Sequence, residues 1–198
     1  MAAGTLHLAS ASPRRRELLA ALGYEFTHGP VDIDESELPG EAPADMVLRL
    51  AAAKARTAFE TGLTGGPVLG ADTAVVVGQT VFGKPVSKRD ALHMLAQLSG
   101  RRHRVLTGVA VLVDGVIDSA LSETEVQFRE IRPDEAEAYW HSGEPAGKAG
   151  AYAVQGLAGI FVSSINGSYT GVVGLPVYET AELLRRAGIV PRGMPAHE

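Results

Sequence analysis

An apolar run interrupted by a single carboxylate, Leu69-Gly70-Ala71-Asp72-Thr73-Ala74-Val75-Val76-Val77, lies near the middle of the chain. Burying an unpaired ionised carboxylate costs on the order of several kcal/mol, so a fold keeps one in an apolar strand only beside a metal, a cation or several hydrogen-bond donors. The run therefore predicts a buried strand with a functional site at Asp72. The alternative is that the strand ends at Leu69 and that Asp72 turns the chain before Ala74.

Length and composition are those of an ordinary globular protein. The 198 residues are 45% hydrophobic and 21% charged, and we expect a single domain over residues 1–190 followed by a C-terminal tail over residues 191–198. The chain contains no window of about 18 consecutive apolar residues, and residues 1–10 lack the charged and apolar segments of a secretory signal. We therefore expect a cytoplasmic protein that does not bind membranes.

Charge and cysteine content narrow the possible functions. A formal net charge of -5 argues against binding to a nucleic acid polymer, which needs a basic face, whereas a small anionic ligand needs only a local cluster of cations. The chain has no cysteine, so any metal must be held by oxygen or imidazole ligands. The six histidines show no metal-binding spacing, and we interpret each as structural or exposed.

A strand followed by a helix is predicted at the start of the chain. Thr5–Ser10 alternates as a strand does, Ser12 suits an N-cap and Pro13 suits the first helical turn, so we predict a helix that ends at Gly23. Arg14–Arg16 crowds the first turn of this helix, where the helix dipole disfavours cations. An anion bound at the helix N-terminus would explain these arginines. A solvated basic patch is the alternative.

An acidic loop follows. Val31–Glu37 contains four carboxylates in seven residues and could hold a metal, with Glu35 as the candidate ligand. Acidic loops are also common at protein surfaces, so this signal alone is weak.

A lysine on an apolar stripe is the next candidate. Pro43 begins a helix that we predict to continue to about Gly62, and Lys54 lies on the same face as Val47 and Leu50. One interpretation is that the lysine stem packs while its ammonium group reaches water. The other is that the end of the stripe faces a cleft that binds phosphate.

Strand and helix patterns alternate through the rest of the chain, which predicts an α/β fold. The expected elements are a turn at Gly78-Gln79, a helix from Ser87 to about Leu98, a hairpin of Val105–Val113 with Val116–Phe128, a helix from Pro133 to Trp140, a hairpin of Phe161–Ile165 with Ser168–Val173, and a helix from Pro176 to Gly188.

Two further residues lie in segments rich in glycine and proline. Lys84 stands between Gly83 and Pro85, a rigid setting that suits a fixed cation, although an exposed turn lysine is equally ordinary. Gln155 follows the glycine-dense stretch that begins at Gly147, and its amide offers a donor and an acceptor suited to a base edge. The alternative is a turn-rich packing segment.

Seven short motifs along the chain match one known family. They are Leu8-Ala9-Ser10-Ala11-Ser12-Pro13-Arg14-Arg15, Ala53-Lys54-Ala55, Gly70-Ala71-Asp72-Thr73, Gly83-Lys84-Pro85, Leu98-Ser99-Gly100, Gly147-Lys148-Ala149-Gly150-Ala151-Tyr152 and Ile165-Asn166-Gly167-Ser168-Tyr169. Through these motifs the sequence resembles the Maf family of nucleoside triphosphate pyrophosphatases from Leu6 to Gly188.

The resemblance implies a fold and a reaction. The expected fold is the α/β fold shared with inosine triphosphate pyrophosphatases, an elongated mixed sheet flanked by helices with a nucleotide cleft between two lobes. The expected reaction is hydrolysis of a nucleoside triphosphate to the monophosphate and pyrophosphate, by a homodimer that uses a divalent cation, Mg²⁺ or Mn²⁺. Within the family, the combination of Arg15, Thr73 and Gln155 is similar to the branch that acts on dTTP and UTP.

The resemblance also implies roles for individual residues. Asp72 matches the family's proton acceptor and, with Glu35, its metal site. The residues that match the substrate site are Ser10, Arg14, Arg15, Lys54, Thr73, Lys84 and Gln155. Two alternatives stay open: a pyrophosphatase that acts broadly or on modified nucleotides, and a nucleotide-binding regulator of cell division or septum formation whose hydrolysis is incidental.

Overall fold

The computed structural model describes residues 4–62 and 64–195. Residues 1–3, residue 63 and the last three residues of the predicted tail lie outside the described residues. The described part of the tail contacts the body of the protein, because the amide of Arg192 donates to the carbonyl of Gly23 at 2.9 Å. Within the two described ranges, no helix has the length and apolar character needed to cross a membrane.

Strands and helices alternate along the chain, as the sequence predicts. The strands are β1 (Leu6–Ala9), β2 (Phe26–Gly29), β3 (Val68–Val77), β4 (Thr80–Phe82), β5 (Arg102–Val113), β6 (Val116–Phe128) and β7 (Val162–Asn166). The helices are α1 (Pro13–Ala21), α2 (Pro43–Glu60), α3 (Lys88–Leu98), α4 (Pro133–His141), α5 (Tyr169–Val173) and α6 (Val177–Arg186). Two short 3-10 turns cover Ala149–Ala151 and Leu157–Phe161.

The strands form one mixed sheet of seven strands in the order β2-β1-β3-β5-β6-β7, with β4 paired to β3. Strand β1 is parallel to both β2 and β3, whereas β4 is antiparallel to β3 and β7 is antiparallel to β6. Helices flank this sheet, which confirms the predicted α/β fold class. Parallel pairing of β1 with β3 requires a crossover, and α2 lies within that connection.

The described residues group into two compact units. Unit 1 comprises the residues up to Asp72, Thr107–Ser122 and the residues from Gly174 onward. Unit 2 comprises Thr73–Leu106 and Glu123–Val173. The single domain and the cleft between lobes expected from the sequence stay predictions.

Most predicted elements are confirmed within a few residues. Helix α1 begins at Pro13 with Ser12 as its N-cap, and α2 begins at Pro43. Strand β3 continues through Asp72 to Val77, so the alternative in which the strand ends at Leu69 is wrong.

The second predicted hairpin is wrong. Residues 169–173 form helix α5, and β7 pairs instead with β6 in the register Val126 to Ile165. Thr124 explains the difference, because its hydroxyl accepts from the amide of Ser168 at 2.9 Å. The Ser168 hydroxyl in turn accepts from the amide of Gly171 at 3.0 Å and caps a helical turn where the Asn-Gly signal favours a hairpin.

A glycine allows α2 to lie directly on β3. A Cβ atom at Gly70 would lie inside van der Waals distance of the Ala51 carbonyl oxygen and 2.9 Å from the Ala55 amide nitrogen. Both of these atoms belong to the α2 backbone. The face of α2 that packs here is made of small side chains, since Ala51, Ala55 and Ala58 are all fully buried. This close approach sets the position of every side chain that α2 presents to β3.

Replacing Gly70 by Ala should therefore destabilise the protein, because the added Cβ forces α2 away from β3. Overpacking of this kind costs about 1–3 kcal/mol, and contact with rigid backbone leaves little room for relaxation. We expect the free energy of unfolding, measured by urea titration with circular dichroism, to fall by about 2 kcal/mol or more. The control is Gly65→Ala, since a Cβ at Gly65 meets no atom within 4 Å. Equal stability of the Gly70→Ala protein and the wild type would contradict this packing.

A buried histidine lies among aromatic rings in unit 2. His103 is only 2% exposed, its Nε2 lies 2.9 Å from the Tyr152 hydroxyl, and its ring meets Phe128 edge-on at 4.8 Å between centroids. Burial lowers the pKa of His103 from 6.5 to about 4, and a hydrogen bond with the backbone of Arg101 acts in the opposite direction. His103 is thus a neutral core residue, as the spacing of the histidines suggests.

The low pKa of His103 makes stability depend on pH. The folded protein binds fewer protons at this site than the unfolded chain, so the contribution is complete above pH 6.5 and is lost as the pH falls toward 4. The full contribution is about 3 kcal/mol, of which about 2 kcal/mol is lost by pH 5. We expect the drop in unfolding free energy between pH 7 and pH 5 to be smaller by about that 2 kcal/mol in a His103→Gln variant. Fluorescence of Trp140, the only tryptophan and a residue of unit 2, reports the transition. An identical drop in both proteins would contradict this role of His103.

Candidate active site

Lys54 joins two carboxylates inside unit 1. Its Nζ lies 2.6 Å from Asp72 Oδ1 and 2.7 Å from Glu35 Oε1. The side chains of Lys54 and Asp72 are 10% and 13% exposed, whereas that of Glu35 is 47% exposed. The ammonium group is therefore held by carboxylates on the buried face of α2, and the interpretation in which it extends to water is wrong.

Arg15 is tied to three different segments of unit 1. Its Nε donates to the carbonyl of Gly174 at 2.7 Å, and its Nη1 donates to the carbonyl of Ala71 at 2.9 Å. The same Nη1 lies 3.3 Å from the hydroxyl of Ser10, a buried residue just after β1. That hydroxyl also accepts from the amide of Ser12 at 3.1 Å. Arg15 is thus a fixed cation in the body of the protein, and the solvated-patch interpretation is wrong for this residue.

The charges around Arg15 are mixed. Burial is the largest influence and lowers the pKa of Arg15, the charge of Asp72 raises it, Arg14 lowers it, and Glu35 raises it. Arg14 and Glu35 therefore lie near enough to Arg15 to act on it electrostatically. Since arginine stays protonated in proteins, three cations and two carboxylates are gathered in one region of unit 1. Ser10 lies with them.

The acidic loop that carries Glu35 is held by an arginine of α2. Arg49 donates two hydrogen bonds to the carboxylate of Glu41, from Nε to Oε1 at 2.5 Å and from Nη2 to Oε2 at 2.7 Å. The same Nη2 donates to the backbone carbonyl of Ser36 at 3.0 Å. Glu41 Oε2 also accepts from the amide of Leu38 at 3.3 Å. Arg49 thereby fastens the loop at the residue that follows Glu35.

The three remaining predicted site residues belong to unit 2. Thr73 follows Asp72 on β3 and is partly buried, so its side chain leaves the opposite face of the strand. Lys84 is exposed after β4, next to Gly83, whose carbonyl accepts from the amide of Gly150 at 3.0 Å. Gln155 is exposed in a turn that follows the buried residues 151–154. The roles of these three residues stay predictions.

Two carboxylates fit the needs of a small divalent cation. Within the described residues, no group of three or more histidine, aspartate or glutamate side chains is placed to hold a metal. Mg²⁺, however, is commonly held by only one or two carboxylates together with phosphate oxygens of a substrate. Glu35 and Asp72 both contact Nζ of Lys54, so the two carboxylates lie close to one another. This donor set of hard oxygens fits Mg²⁺ or Mn²⁺.

Comparison with known proteins shows the family of this chain. A sequence model of the Maf-like protein family matches residues 5–187. The chain belongs to the Maf family. All the site residues considered above lie within the part that matches the Maf family.

Several Maf family relatives are similar over nearly their whole length. The dTTP/UTP pyrophosphatase of Pseudoalteromonas translucida is 52% identical over 180 residues, which are 91% of this chain and 95% of the relative. The dTTP/UTP pyrophosphatase of Bordetella avium is 52% identical over 192 residues, or 93% of this chain and 96% of the relative. The dTTP/UTP pyrophosphatase of Hahella chejuensis is 52% identical over 186 residues, which are 93% of this chain and 92% of the relative.

Sequence patterns did not single out Arg49 and Glu41. Arg49 lies on the polar side of α2, where a charged residue is ordinary, and Glu41 precedes the helix among other acidic residues. The one available signal is that a long loop carrying a candidate ligand needs an anchor, because it has no ladder hydrogen bonds of its own.

Replacing Arg49 by Lys should loosen the loop around Glu35. A lysine ammonium can hold Glu41 as a point charge but lacks the planar fork that bonds both carboxylate oxygens and the Ser36 carbonyl. Losing one or two such hydrogen bonds should speed amide hydrogen exchange in residues 31–41 about tenfold, as measured by mass spectrometry.

The matched control is Arg186→Lys, an exposed arginine of the same unit whose Nη1 lies 3.1 Å from Asp118. Exchange in residues 31–41 should be unchanged in this control. If Arg49→Lys also left that exchange unchanged, Arg49 would not be the anchor of the loop.

Proposed function

We propose that this chain is a nucleoside triphosphate pyrophosphatase that hydrolyses dTTP and UTP to the monophosphate and pyrophosphate. The observation that carries this proposal is Asp72, held beside Lys54 and near Arg15 in a member of the Maf family. Relatives that are 52% identical over more than nine-tenths of their length bear the name dTTP/UTP pyrophosphatase.

The charge pattern of unit 1 suits a polyphosphate. Arg15 is fixed by backbone carbonyls, so its guanidinium needs no reorganisation to meet an anion. Lys54 and Arg14 add two further cations in the same region. Such an arrangement neutralises negative charge that develops on a leaving pyrophosphate.

Asp72 is the proposed proton acceptor. In the reaction, the oxygen of a water molecule forms a bond to the α-phosphorus, and the bond from that phosphorus to the bridging oxygen breaks. Pyrophosphate leaves, and the proton of the water passes to the carboxylate of Asp72. Lys54 orients this carboxylate through its 2.6 Å contact with Oδ1.

Glu35 and Asp72 would hold the divalent cation. When bound, Mg²⁺ or Mn²⁺ neutralises the phosphates and helps to orient them. Thr73, Lys84 and Gln155 of unit 2 are the other proposed substrate-binding residues. The role proposed for Gln155 is recognition of the base, because its amide can pair with a base edge. A cytoplasmic homodimer is part of the same proposal.

Pyrophosphate release tests the reaction and the substrates together. We expect the purified protein, with Mg²⁺ or Mn²⁺, to release pyrophosphate rather than orthophosphate, with UTP and dTTP ahead of CTP, GTP and ATP. Asp72→Asn should lower kcat for UTP about 10²- to 10⁴-fold while nucleotide binding persists, because the geometry survives and the base does not. Isothermal titration measures the binding.

The matched control is Asp118→Asn, which changes an exposed aspartate of unit 1 and should keep wild-type turnover. Uniform activity on all five nucleotides would keep the reaction and reject the substrate assignment. Wild-type turnover in the Asp72→Asn protein would remove Asp72 from the mechanism.

A further inference from the structure

Gln155 stands on a tight turn in unit 2. The amide of Gly156 donates to the carbonyl of Ala153 at 3.0 Å, which closes a four-residue turn with Gln155 at its third position. Gln155 is exposed, as are Gly156 and Leu157 after it, whereas Ala153 and Val154 before it are buried. Within the four residues of the turn, Gln155 is therefore the exposed side chain.

A carboxylate holds the chain on the C-terminal side of the turn. Glu144 Oε2 accepts from the amide of Leu157 at 2.9 Å, and its Oε1 accepts from the amide of Ala158 at 3.2 Å. These are the first amides of the 3-10 turn Leu157–Phe161, which have no partner within that turn. Glu144 therefore acts as the cap of this turn from 13 residues earlier in the chain.

A tyrosine extends the same contact to the N-terminal side. The Tyr139 hydroxyl donates to Glu144 Oε1 at 2.7 Å and accepts from the amide of Ala153 at 3.3 Å. Tyr139 lies on α4, is 4% exposed, and meets the ring of Phe161 at 5.4 Å between centroids. The backbone on both sides of Gln155 is thus tied to one hydrogen-bonded pair of side chains.

The absence of a side chain at Gly156 leaves room for the Glu144 carboxylate. A Cβ atom at this position would lie 2.5 Å from the Glu144 carboxyl carbon and 2.6 Å from its Oε1. The glycine next to Gln155 therefore leaves room for Glu144 to reach the amides beyond it. This close approach joins Gln155, Gly156 and Glu144 into one local arrangement.

Glu144 is ionised at neutral pH despite being partly buried. Burial is the largest influence and raises its pKa, but the amide of Leu157, the Tyr139 hydroxyl, the amide of Ala158 and the charge of Lys148 together lower the pKa below its ordinary value. Hydrogen bonds to an ionised acceptor are stronger than those between neutral groups, so this arrangement is firm.

We propose that Tyr139 and Glu144 are positioning residues that set the base specificity of the enzyme by holding the turn that presents Gln155. This inference rests on the proposed function, in which Gln155 contacts the base. Uracil and thymine offer a ring N–H donor beside a carbonyl acceptor, whereas cytosine offers the reverse pattern. A freely moving carboxamide can match either pattern by rotating, because it carries a donor and an acceptor at one end. Discrimination therefore needs a fixed support.

The test compares kcat/KM for UTP and CTP in purified variants. Tyr139→Phe deletes only the hydroxyl and keeps the ring against Phe161, so the protein should fold. We expect the UTP preference to fall about three- to tenfold, with kcat for UTP within about twofold of wild type, because the loss falls on binding of the base. Glu144→Gln should lower the preference further, and amide exchange at Leu157 and Ala158 should accelerate in both variants.

Two control variants make matched changes elsewhere in unit 2. Tyr152→Phe deletes the hydroxyl that contacts His103. Glu137 lies on α4, as Tyr139 does, and Glu137→Gln removes the carboxylate that pairs with Lys88 of α3. Both should retain the wild-type ratio of kcat/KM for UTP to that for CTP. A fall in that ratio in the controls equal to that in Tyr139→Phe would overturn the proposal, because any disturbance of unit 2 would then suffice.

A double-mutant cycle separates the two levels of the hypothesis. If Glu144 acts through Gln155, then Glu144→Gln should change the UTP preference of a Gln155→Ala protein by less than about twofold. Additive effects, or an unchanged preference in both Tyr139→Phe and Glu144→Gln, would overturn the positioning role while leaving base recognition by Gln155 intact. An unchanged preference in Gln155→Ala alone would overturn base recognition itself, and with it the positioning role, without affecting the proposed hydrolysis.

Discussion

The close contact between the backbone of α2 and strand β3 at Gly70 is the constraint on which the site in unit 1 depends. A side chain at this position would separate helix and strand, and Lys54 and Asp72 would then lie on elements held apart. With glycine there, a lysine of the helix meets an aspartate of the strand at 2.6 Å. The contact itself is between uncharged backbone atoms, yet its consequence is electrostatic: it fixes the distance between two opposite charges.

Burying the charges of Lys54 and Asp72 lowers the stability of the fold. Removing a lysine and an aspartate from water is unfavourable, and their attraction does not always compensate for the loss of hydration. Glu35 adds a second carboxylate to the same ammonium group from an exposed loop, so the buried charge is balanced partly by a group that stays in contact with water. In other proteins, well-packed apolar residues of similar volume often stabilise the fold as much as a buried ion pair does or more. The ionic arrangement is therefore best understood through the chemistry that it permits.

Local periodicity in the sequence was enough to predict most helices and strands and the positions of Asp72 and Lys54 on them. The apolar run predicted a functional site at Asp72, and helical periodicity put Lys54 on an apolar stripe with its role open; the structure pairs the two residues. The hairpin predicted across Asn166-Gly167 was wrong because Thr124, more than 40 residues earlier, redirects the chain at Ser168. Turn signals describe the local preference of the backbone, and a single long-range hydrogen bond can override it. Contacts such as those of Arg49 and Glu144 leave no periodic signal at all.

Both irregular segments that carry predicted site residues are held in the same physical way. The loop with Glu35 and the turn with Gln155 have few ladder hydrogen bonds of their own, so their backbone amides take other partners. In each segment a carboxylate supplies them: Glu41 accepts from a loop amide and from Arg49, and Glu144 accepts from two turn amides and from Tyr139. Carboxylates suit this task because each offers two oxygens and makes charge-assisted bonds. A strand or helix positions its side chains through its own hydrogen bonds, whereas these two segments take their geometry from an acidic residue that need not touch the substrate.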